Sequence, residues 1–332
     1  MVEKSKKMNL YSWHKKVYLE IIKQYKYKKS HHARMIISNQ NLDIIKLVWN
    51  IAKWIFCSKK KKCSVCTSCL LMEANSHPDW YHIKKETNEE SIGIDFINSL
   101  KKKILLTPQQ KNGKVFFFQN SENLTTASVN SLLKIIEEPP KNTWFFFEYN
   151  NNYYIPETLK SRCLLHFLPP PTEKEGIIWL KNQFIITKQN NYLILLRTCN
   201  SSPIESKKLF QSIFWTLRLE FFFLLKEFIN KGTIKPLISI ISKKDNFLLI
   251  NSICCILLDS IKYKNNLNKN LINLDQIELI KIFSKKHTFK CLNKSFKSWI
   301  KCYNRIVSIT GINQELLIIE QFFYWKKILN TS

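Results

Sequence analysis

Residues 113–150 decide the fold, because they contain "GKVFFFQN" (113–120), "LTTASVNSLLKIIEEPP" (124–140) and "NTWFFFEYN" (142–150) in close succession. The first and third pieces are short apolar runs of the kind that buried strands show. The middle piece repeats its apolar residues at helical spacing, begins at threonines that can cap a helix and ends at a proline pair. This stretch therefore predicts a strand, a helix and a second strand.

The sequence on either side extends this pattern. "HHARMIIS" (31–38) predicts a strand and "NLDIIKLVWNIAKWIFC" (41–57) a helix, and a further strand is expected within "TLKSRCLLHFLPPP" (158–171). Apolar strands that alternate with helices indicate a parallel sheet covered on both faces. We predict that this first domain occupies residues 1–167 and ends before the proline run.

The rest of the chain shows only helical periodicity. Residues 168–210 combine short helices with polar turns, and longer helices follow, for example in "SIFWTLRLEFFFLLKEFI" (212–229) and "LLIIEQFFYWKKIL" (316–329). The predicted fold class is α/β plus all-α, with a small helical domain at 168–210 and a larger helical domain at 211–332.

The composition points to a basic protein without an export or membrane segment. The chain has 332 residues and a formal charge of +27, but its lysines are spread along the sequence. We therefore favour compositional drift over a dedicated nucleic-acid surface as the origin of this charge. No apolar core follows the charged start, and the most apolar run (218–228) is interrupted by charges. A cytoplasmic protein is expected, in which close cysteines bind metal more often than they form disulfides.

The basic run "CSKKKKCSVCTSC" (57–69) holds four closely spaced cysteines: Cys57, Cys63, Cys66 and Cys69. Two-residue gaps let neighbouring thiolates turn toward one ion, and four thiolates complete the tetrahedral shell of a structural zinc site. A complete shell leaves no position for water or substrate, which argues against a catalytic metal. Four unrelated buried or free thiols are the alternative.

Several motifs together resemble the clamp-loader branch of the AAA+ proteins, and within it the delta prime family of bacterial DNA polymerase III subunits. The motifs are the cysteine insertion after the first helix, "HPDW" (77–80), "SVNSLLKIIEEPP" (128–140), "TWFFFEYN" (143–150), "SRC" (161–163) and "SITGINQELLIIEQFF" (308–323). The resemblance covers essentially the whole chain. It implies a RecA-like domain with a zinc-binding insertion, a small helical lid and a helical collar that oligomerises.

The residues that an ATPase of this fold needs are missing. A glycine-rich loop ending in Gly-Lys-Ser/Thr would hold phosphates after the first strand. Here the connection "SNQNLDIIK" (38–46) has no glycine, and the second strand ends in "QNSE" (119–122), which leaves only Glu122 as an acid. Ile204 stands where the resemblance places a nucleotide-sensing arginine. We therefore expect that this chain binds no ATP; the degenerate phosphate loop contains Asn39, Gln40, Asn41 and Asp43.

Arg162 is the candidate catalytic residue. The resemblance implies that the arginine of Ser-Arg-Cys reaches ATP bound by a neighbouring subunit and acts there as an arginine finger, supported by Ser161 and Cys163. The alternative is a structural ion pair of Arg162 at the end of a strand.

The resemblance implies a function without catalysis by the chain itself. The subunit would join the gamma/tau ATPase subunits and the delta subunit in a hetero-pentameric ring, which opens the beta sliding clamp and loads it on primer-template DNA. An alternative of another class is a basic zinc-containing nucleic-acid-binding module on a degenerate ATPase fold. An active ATPase of the gamma type is a third, and it would have to bind nucleotide without a glycine-rich loop.

Overall fold

The computed structural model describes residues 8–27, 30–85, 91–110, 112–185, 190–241, 246–309 and 313–330. The chain divides into two compact units, residues 1–175 and 176–332. The predicted separation of a lid (168–210) from a collar (211–332) stays a prediction. Residues 310–312 of the motif at 308–323 lie outside the described part of the chain.

The first unit is built on a parallel sheet of five strands. The strands are β1 (Ala33–Ser38), β2 (Trp80–Ile83), β3 (Lys114–Phe118), β4 (Thr143–Asn150) and β5 (Leu164–Phe167). Their order across the sheet is β2-β3-β4-β1-β5. All residues of β1 and β3 are buried, as expected for a sheet covered on both faces. The prediction of an α/β domain with a parallel sheet, followed by helices, is confirmed.

Helices surround the sheet and make up the second unit. Those that begin in the first unit are α1 (Lys15–Lys26), α2 (Ile44–Phe56), α3 (Thr67–Glu73), α4 (Ile94–Leu105), α5 (Thr126–Glu137), α6 (Glu157–Lys160) and α7 (Glu173–Lys181). The others are α8 (Asn190–Thr198), α9 (Pro203–Gln211), α10 (Ile213–Lys231), α11 (Lys235–Ile241), α12 (Asn246–Lys264), α13 (Ile277–Lys286), α14 (Phe289–Ser308) and α15 (Gln314–Asn330). Short 3-10 turns lie at Ser12–His14, Ser121–Asn123, Asn268–Asn270 and Leu274–Gln276.

The register of the sheet places the candidate site. Ser38 at the end of β1 pairs with Asn150 at the end of β4, and β3 lies on the other side of β4. The carboxyl ends of these three strands therefore meet at one edge, which is where open parallel sheets carry their ligands. The loop into α2, the turn after β3 and the end of β4 all lie at this edge.

Strand β2 and helix α4 were not predicted from the sequence. Strand β2 has four residues at the edge of the sheet, and Ile83 alone among them is buried, so it presents no apolar run. Asp79, which precedes it, accepts hydrogen bonds from the backbone N–H groups of Gln109 (2.9 Å) and Gln110 (2.7 Å). The "HPDW" motif thus anchors the loop that leads from α4 to β3.

The second unit encloses a core rich in aromatic residues. Trp299 of α14 meets Phe322 and Trp325 of α15 edge-on, with ring centroids 4.9 and 5.4 Å apart. The carboxylate of Asp275 accepts two hydrogen bonds from Arg218, which is buried on α10, at 2.6 and 2.9 Å. A paired and hydrogen-bonded charge is the form in which a buried guanidinium is tolerated.

Among the helices within the described ranges, none is long and apolar enough to cross a membrane.

Candidate functional site

The four predicted cysteines come together in one cluster. Their Sγ atoms all lie within 4.8 Å of one another, and those of Cys57 and Cys63 are 3.6 Å apart. Four sulfurs at about 2.3 Å from a tetrahedral zinc ion would be separated by about 3.8 Å. The cluster therefore has the size and donor set of a site for one metal ion.

The backbone of the insertion is shaped to direct N–H groups at the thiolates. Lys60, Lys62 and Ser64 have positive φ angles of 50°, 50° and 55°, a conformation that non-glycine residues seldom adopt. Burial raises the pKa of Cys57, but hydrogen bonds from the backbone of Cys63, Lys61 and Lys59 outweigh it and lower that pKa to about 6. A metal site needs deprotonated thiols, and these N–H groups favour that form at Cys57, whereas burial raises the pKa of Cys69 to about 12 in the absence of a metal ion.

Contacts on both sides fix the insertion to the domain. The Lys53 ammonium group on α2 donates to Ser64 Oγ at 3.1 Å and pairs with Glu73 on α3 at 2.5 Å. Asn112, just before β3, donates to the carbonyl oxygen of Phe56 at 2.6 Å. Cys57 and Cys69 are buried, whereas Cys63 and Cys66 are half-buried. A metal at this place would tie α2 to α3.

His77 lies near the insertion in sequence but is not part of the cluster, which among the described residues consists of cysteines alone. Its ring stacks on Phe56 with centroids 4.0 Å apart, and its Nδ1 accepts the N–H of Asp79 at 3.2 Å. His77 therefore has a packing role beside the cysteine cluster.

The amino end of α2, where a phosphate loop would hold nucleotide, is occupied by protein groups. Asp43 precedes the helix with a φ angle of 58°, and Ile44, the first helical residue, is completely buried. The Asp43 carboxylate accepts a hydrogen bond from Tyr11 at 3.2 Å and pairs with Lys46 at 3.0 Å. A helix amino terminus favours an anion, and here the chain supplies its own.

The residues before α1 hold the loop that leads into α2. The carbonyl oxygen of Leu42 accepts hydrogen bonds from Trp13 Nε1 at 3.3 Å and from His14 Nε2 at 2.8 Å. Leu42 and His14 are completely buried. Nearby, the degenerate loop is held by local bonds, from Ser38 Oγ to the carbonyl oxygen of Gln40 and from the Asp43 N–H to Asn41 Oδ1. The carbonyl oxygen of Asn39 accepts from Asn152 at 3.5 Å.

A glutamate with a buried carboxyl oxygen, which the sequence analysis did not single out, lies at this edge of the sheet. Glu148 interrupts the apolar run of β4, and neither its Oε2 atom nor that of Glu122 has a hydrogen-bond partner among the residues that the structure describes. Burial and the nearby charge of Glu122 raise the pKa of Glu148 to about 8, and Asp43 adds to the shift. A phosphate approaching this edge would meet the Asp43 carboxylate and two glutamates, of which Glu148 is protonated at neutral pH, and none of these groups supplies the positive charge that nucleotide sites provide.

Glu148→Gln is expected to stabilise the protein more at pH 9 than at pH 5. The pKa of Glu148 is raised in the folded state from its ordinary value of 4.5, so the folded chain retains a proton that the unfolded chain releases. Stability is therefore lost as pH rises from about 4.5 to about 8, and glutamine removes that loss. In thermal unfolding we expect the gain in Tm to be larger by about 3 °C or more at pH 9.

Glu138→Gln, the same substitution at an exposed position, supplies the background for this comparison. An equal change in Tm at both pH values for Glu148→Gln would show that the buried carboxyl does not titrate in this range.

Arg162 lies at the surface between α6 and β5. Its Nε and Nη2 atoms donate to Glu137 Oε1 at 2.6 and 2.5 Å, and Nη1 donates to the carbonyl oxygen of Thr158 at 2.8 Å. About a third of the Arg162 side chain and about half of the Glu137 side chain are exposed to solvent. An ion pair with this exposure contributes about 0–1 kcal/mol, so it orients the arginine without locking it.

The two neighbours of Arg162 hold the loop in different ways. Ser161 is exposed, and its Oγ lies 3.3 Å from Arg162 Nη1. Cys163 is buried in the hydrophobic core of the first unit, and burial raises the pKa of its thiol to about 12. Cys163 thus anchors the backbone while Ser161 contacts the guanidinium group.

Ile204, which stands where the resemblance places a nucleotide-sensing arginine, is half-buried in the first turn of α9. Ser202 caps that helix by accepting the N–H of Glu205 at 3.3 Å. An isoleucine at this place offers no charge to a phosphate.

Comparison of the sequence with family models and known proteins identifies the family to which the chain belongs. A family model described as "DNA polymerase III, delta subunit" matches residues 13–172, and one described as "DNA polymerase III, delta subunit, C terminal" matches residues 212–327. The DNA polymerase III subunit delta' of Buchnera aphidicola subsp. Schizaphis graminum is 41% identical over 97% of this chain and 98% of its own length. The chain belongs to the DNA polymerase III delta' family.

More distant members of the delta' family also match along nearly the whole chain. DNA polymerase III subunit delta' of Buchnera aphidicola subsp. Acyrthosiphon pisum is 38% identical over 98% of this chain and 100% of its own length. The corresponding Escherichia coli K12 protein is 27% identical over 94% of each chain. The resemblance stated from the motifs is thereby confirmed for the family.

Proposed function

We propose that this delta' family member acts as a subunit of the DNA polymerase III clamp loader without hydrolysing ATP itself. In this proposal it joins the gamma/tau ATPase subunits and the delta subunit in a hetero-pentameric cytoplasmic ring. The ring opens the beta sliding clamp and loads it on primer-template DNA, and this chain supplies Arg162 to ATP bound by a neighbour. The observation that carries the proposal is the Asp43 carboxylate at the amino end of α2, where an ATPase would hold phosphate.

Electrostatics support the absence of a bound nucleotide. The phosphates of ATP carry several negative charges, and the Asp43 carboxylate lies at the amino end of α2, where an ATPase would bind them. At about 4 Å, two like charges repel by about 4 kcal/mol near a protein surface. The Lys46 ammonium group, the nearest described cation to Asp43, is already paired with that carboxylate.

The contacts of Arg162 support its role in trans. The side chain is at the surface, and its partner Glu137 presents a carboxylate oxygen to two of its N–H groups. A phosphate group accepts N–H donors in a similar geometry and carries more charge. The exposed pair with Glu137 can therefore give way when a neighbour's phosphate approaches.

We further propose that the cysteine cluster holds a structural zinc ion. A tetrahedral shell of four thiolates has no open coordination position, so the ion would stabilise the insertion and perform no reaction. When bound it would supply folding energy at the junction of α2 and α3.

Exposed apolar side chains support association of the helical half with other subunits. Ile213, Leu219 and Phe223 on α10 are 76%, 59% and 63% exposed. Large exposed apolar residues on a single helix are typical of surfaces that other chains cover.

The experiment that tests the function is reconstitution. We expect that a loader assembled from gamma/tau, delta and this chain hydrolyses ATP in a clamp- and DNA-stimulated manner, and that omitting this chain removes the stimulation. We also expect that the purified chain shows no binding of labelled ATP at micromolar concentrations.

Two results would contradict the proposal. Stimulated hydrolysis that is unchanged when this chain is left out would remove it from the loader's function. Micromolar affinity of the purified chain for labelled ATP would favour an active ATPase instead.

A further inference from the structure

A basic groove runs along the second unit between α14 and α15. It encloses a cavity of about 640 Å³ whose floor includes the buried residues Cys302 and Leu317. Gln321 of α15 donates to Ser298 Oγ of α14 at 2.9 Å, which joins the two helices beneath the groove. We call this feature the α14 groove.

One wall of the α14 groove is a row of cations. The row occupies one face of α14, with intervals of three or four residues, and spans about 22 Å at 1.5 Å per residue. Its members are exposed: Lys290, Lys294, Lys297, Lys301 and Arg305. Among the described residues that line the groove, the facing wall contributes one carboxylate, that of Glu320.

Compositional drift explains the number of lysines in the chain. It does not explain why, among the described residues, the lysines of α14 lack the carboxylate partners that other exposed lysines have. Other exposed lysines lie beside carboxylates on their own helices, as in the pairs Lys208–Glu205 and Lys231–Glu227. Helix α14 contains no aspartate or glutamate. Within the described part of the chain, none of its five cations takes part in an ion pair.

The groove also offers an aromatic ring. Tyr324 of α15 lines it and is 48% exposed. Proteins that bind single strands combine a positively charged groove, which follows the phosphates, with aromatic side chains on which unpaired bases stack. A duplex keeps its bases inside the stack and does not offer them to such a ring. We propose that the α14 groove binds single-stranded nucleic acid.

The binding is independent of the arginine finger and of zinc. Counterion release from neutralised phosphates supplies the affinity and makes it dependent on salt. Tyr324 adds base stacking, which does not depend on salt in this way. The groove would hold a single strand at the helical half of the chain, a surface separate from the sheet edge of the first unit.

The test uses the full-length chain and a fluorescein-labelled dT20 oligonucleotide, with binding followed by fluorescence anisotropy at several salt concentrations. The groove variant carries Lys294→Gln, Lys297→Gln and Lys301→Gln. The control variant carries Lys235→Gln, Lys269→Gln and Lys285→Gln, three exposed lysines of the same unit, so that both lose the same charge.

We expect the groove variant to bind about tenfold more weakly at 100 mM salt, with the slope of log K against log salt reduced by about 2. The control variant should stay within about twofold of the wild type. Tyr324→Ala should weaken binding about fivefold and leave the salt slope unchanged, because it removes stacking and no charge.

Three results would overturn the proposal. The wild type could fail to bind dT20, or both triple variants could lose affinity equally, as non-specific attraction predicts. Displacement of dT20 by an oligoglutamate of equal charge at equal concentration would identify an acidic polypeptide as the partner.

Discussion

Arg162→Ala is expected to slow ATP hydrolysis at the neighbouring site of the reconstituted loader by about a thousandfold or more. An arginine that stabilises charge on the transferring phosphoryl group is worth about 10³–10⁵ in rate. Alanine leaves that charge without its partner, while the phosphate-binding loop of the neighbour is untouched. In a rapid-quench experiment the burst of hydrolysis should fall by one ATP per loader.

Two matched variants separate the finger from a structural ion pair. Glu137→Gln breaks the same exposed pair but keeps the arginine, so hydrolysis should change by no more than about fivefold. Lys160→Ala removes another exposed cation that precedes the same loop and pairs with Glu157. It should leave the burst unchanged.

The result that contradicts this role is equal loss of hydrolysis in Arg162→Ala and Glu137→Gln. The pair itself would then be what the loader needs, and Arg162 would serve the local structure of its own chain. Gel filtration of both variants with the partner subunits shows whether the ring still assembles.

Cys66→Ser is expected to lose the bound metal and to lower the Tm of the first unit by about 10 °C. A ligand present at a thousand times its dissociation constant stabilises a protein by about 4 kcal/mol, and zinc bound by four thiolates is in this regime. Serine cannot complete the shell, because its hydroxyl group does not deprotonate as a thiol does. Metal content by mass spectrometry and thermal unfolding measure the two effects.

Cys255→Ser is the control for this experiment. Cys255 lies on α12, outside the cluster, so this substitution removes one thiol of the chain and leaves the four candidate ligands unchanged. This variant should retain one zinc per chain. Unchanged metal content in Cys66→Ser would mean that Cys66 is not a ligand.

Most of the first unit was predicted correctly because its signals are local. Strands β1, β3, β4 and β5 are apolar runs, and Thr125 caps α5 by accepting the N–H of Ser128 at 3.1 Å, as a threonine before a helical pattern predicts. Strand β2 was not predicted because it is a short edge strand, in which three of the four residues are half-buried. Its sequence has neither an apolar run nor a clear alternation of apolar and polar residues. An apolar pattern in a sequence indicates buried residues, and β2 has one buried residue, Ile83.

The candidate site was predicted in part for the same reason. The cysteine spacing and the missing glycine-rich loop are properties of short segments, so they could be found without a structure. Glu148 was missed because five other residues of β4 are buried and make the segment look like an ordinary apolar strand. A single acidic residue in such a strand does not indicate which groups of other elements lie near its carboxyl group. The pKa of Glu148 depends on Glu122 and Asp43, which reach it from other elements.

The sequence by itself determined four of the five strands of the sheet, the closeness of four thiols along the chain, and the absence of a glycine-rich phosphate loop, because each depends on residues a few positions apart. Tertiary structure decided which distant groups meet. Tyr11 reaches Asp43 across 32 residues, Arg162 pairs with Glu137 across 25, and the cations of α14 face α15 across a groove. Such contacts arise from the packing of elements against one another, and periodicity within one element carries no information about its neighbours.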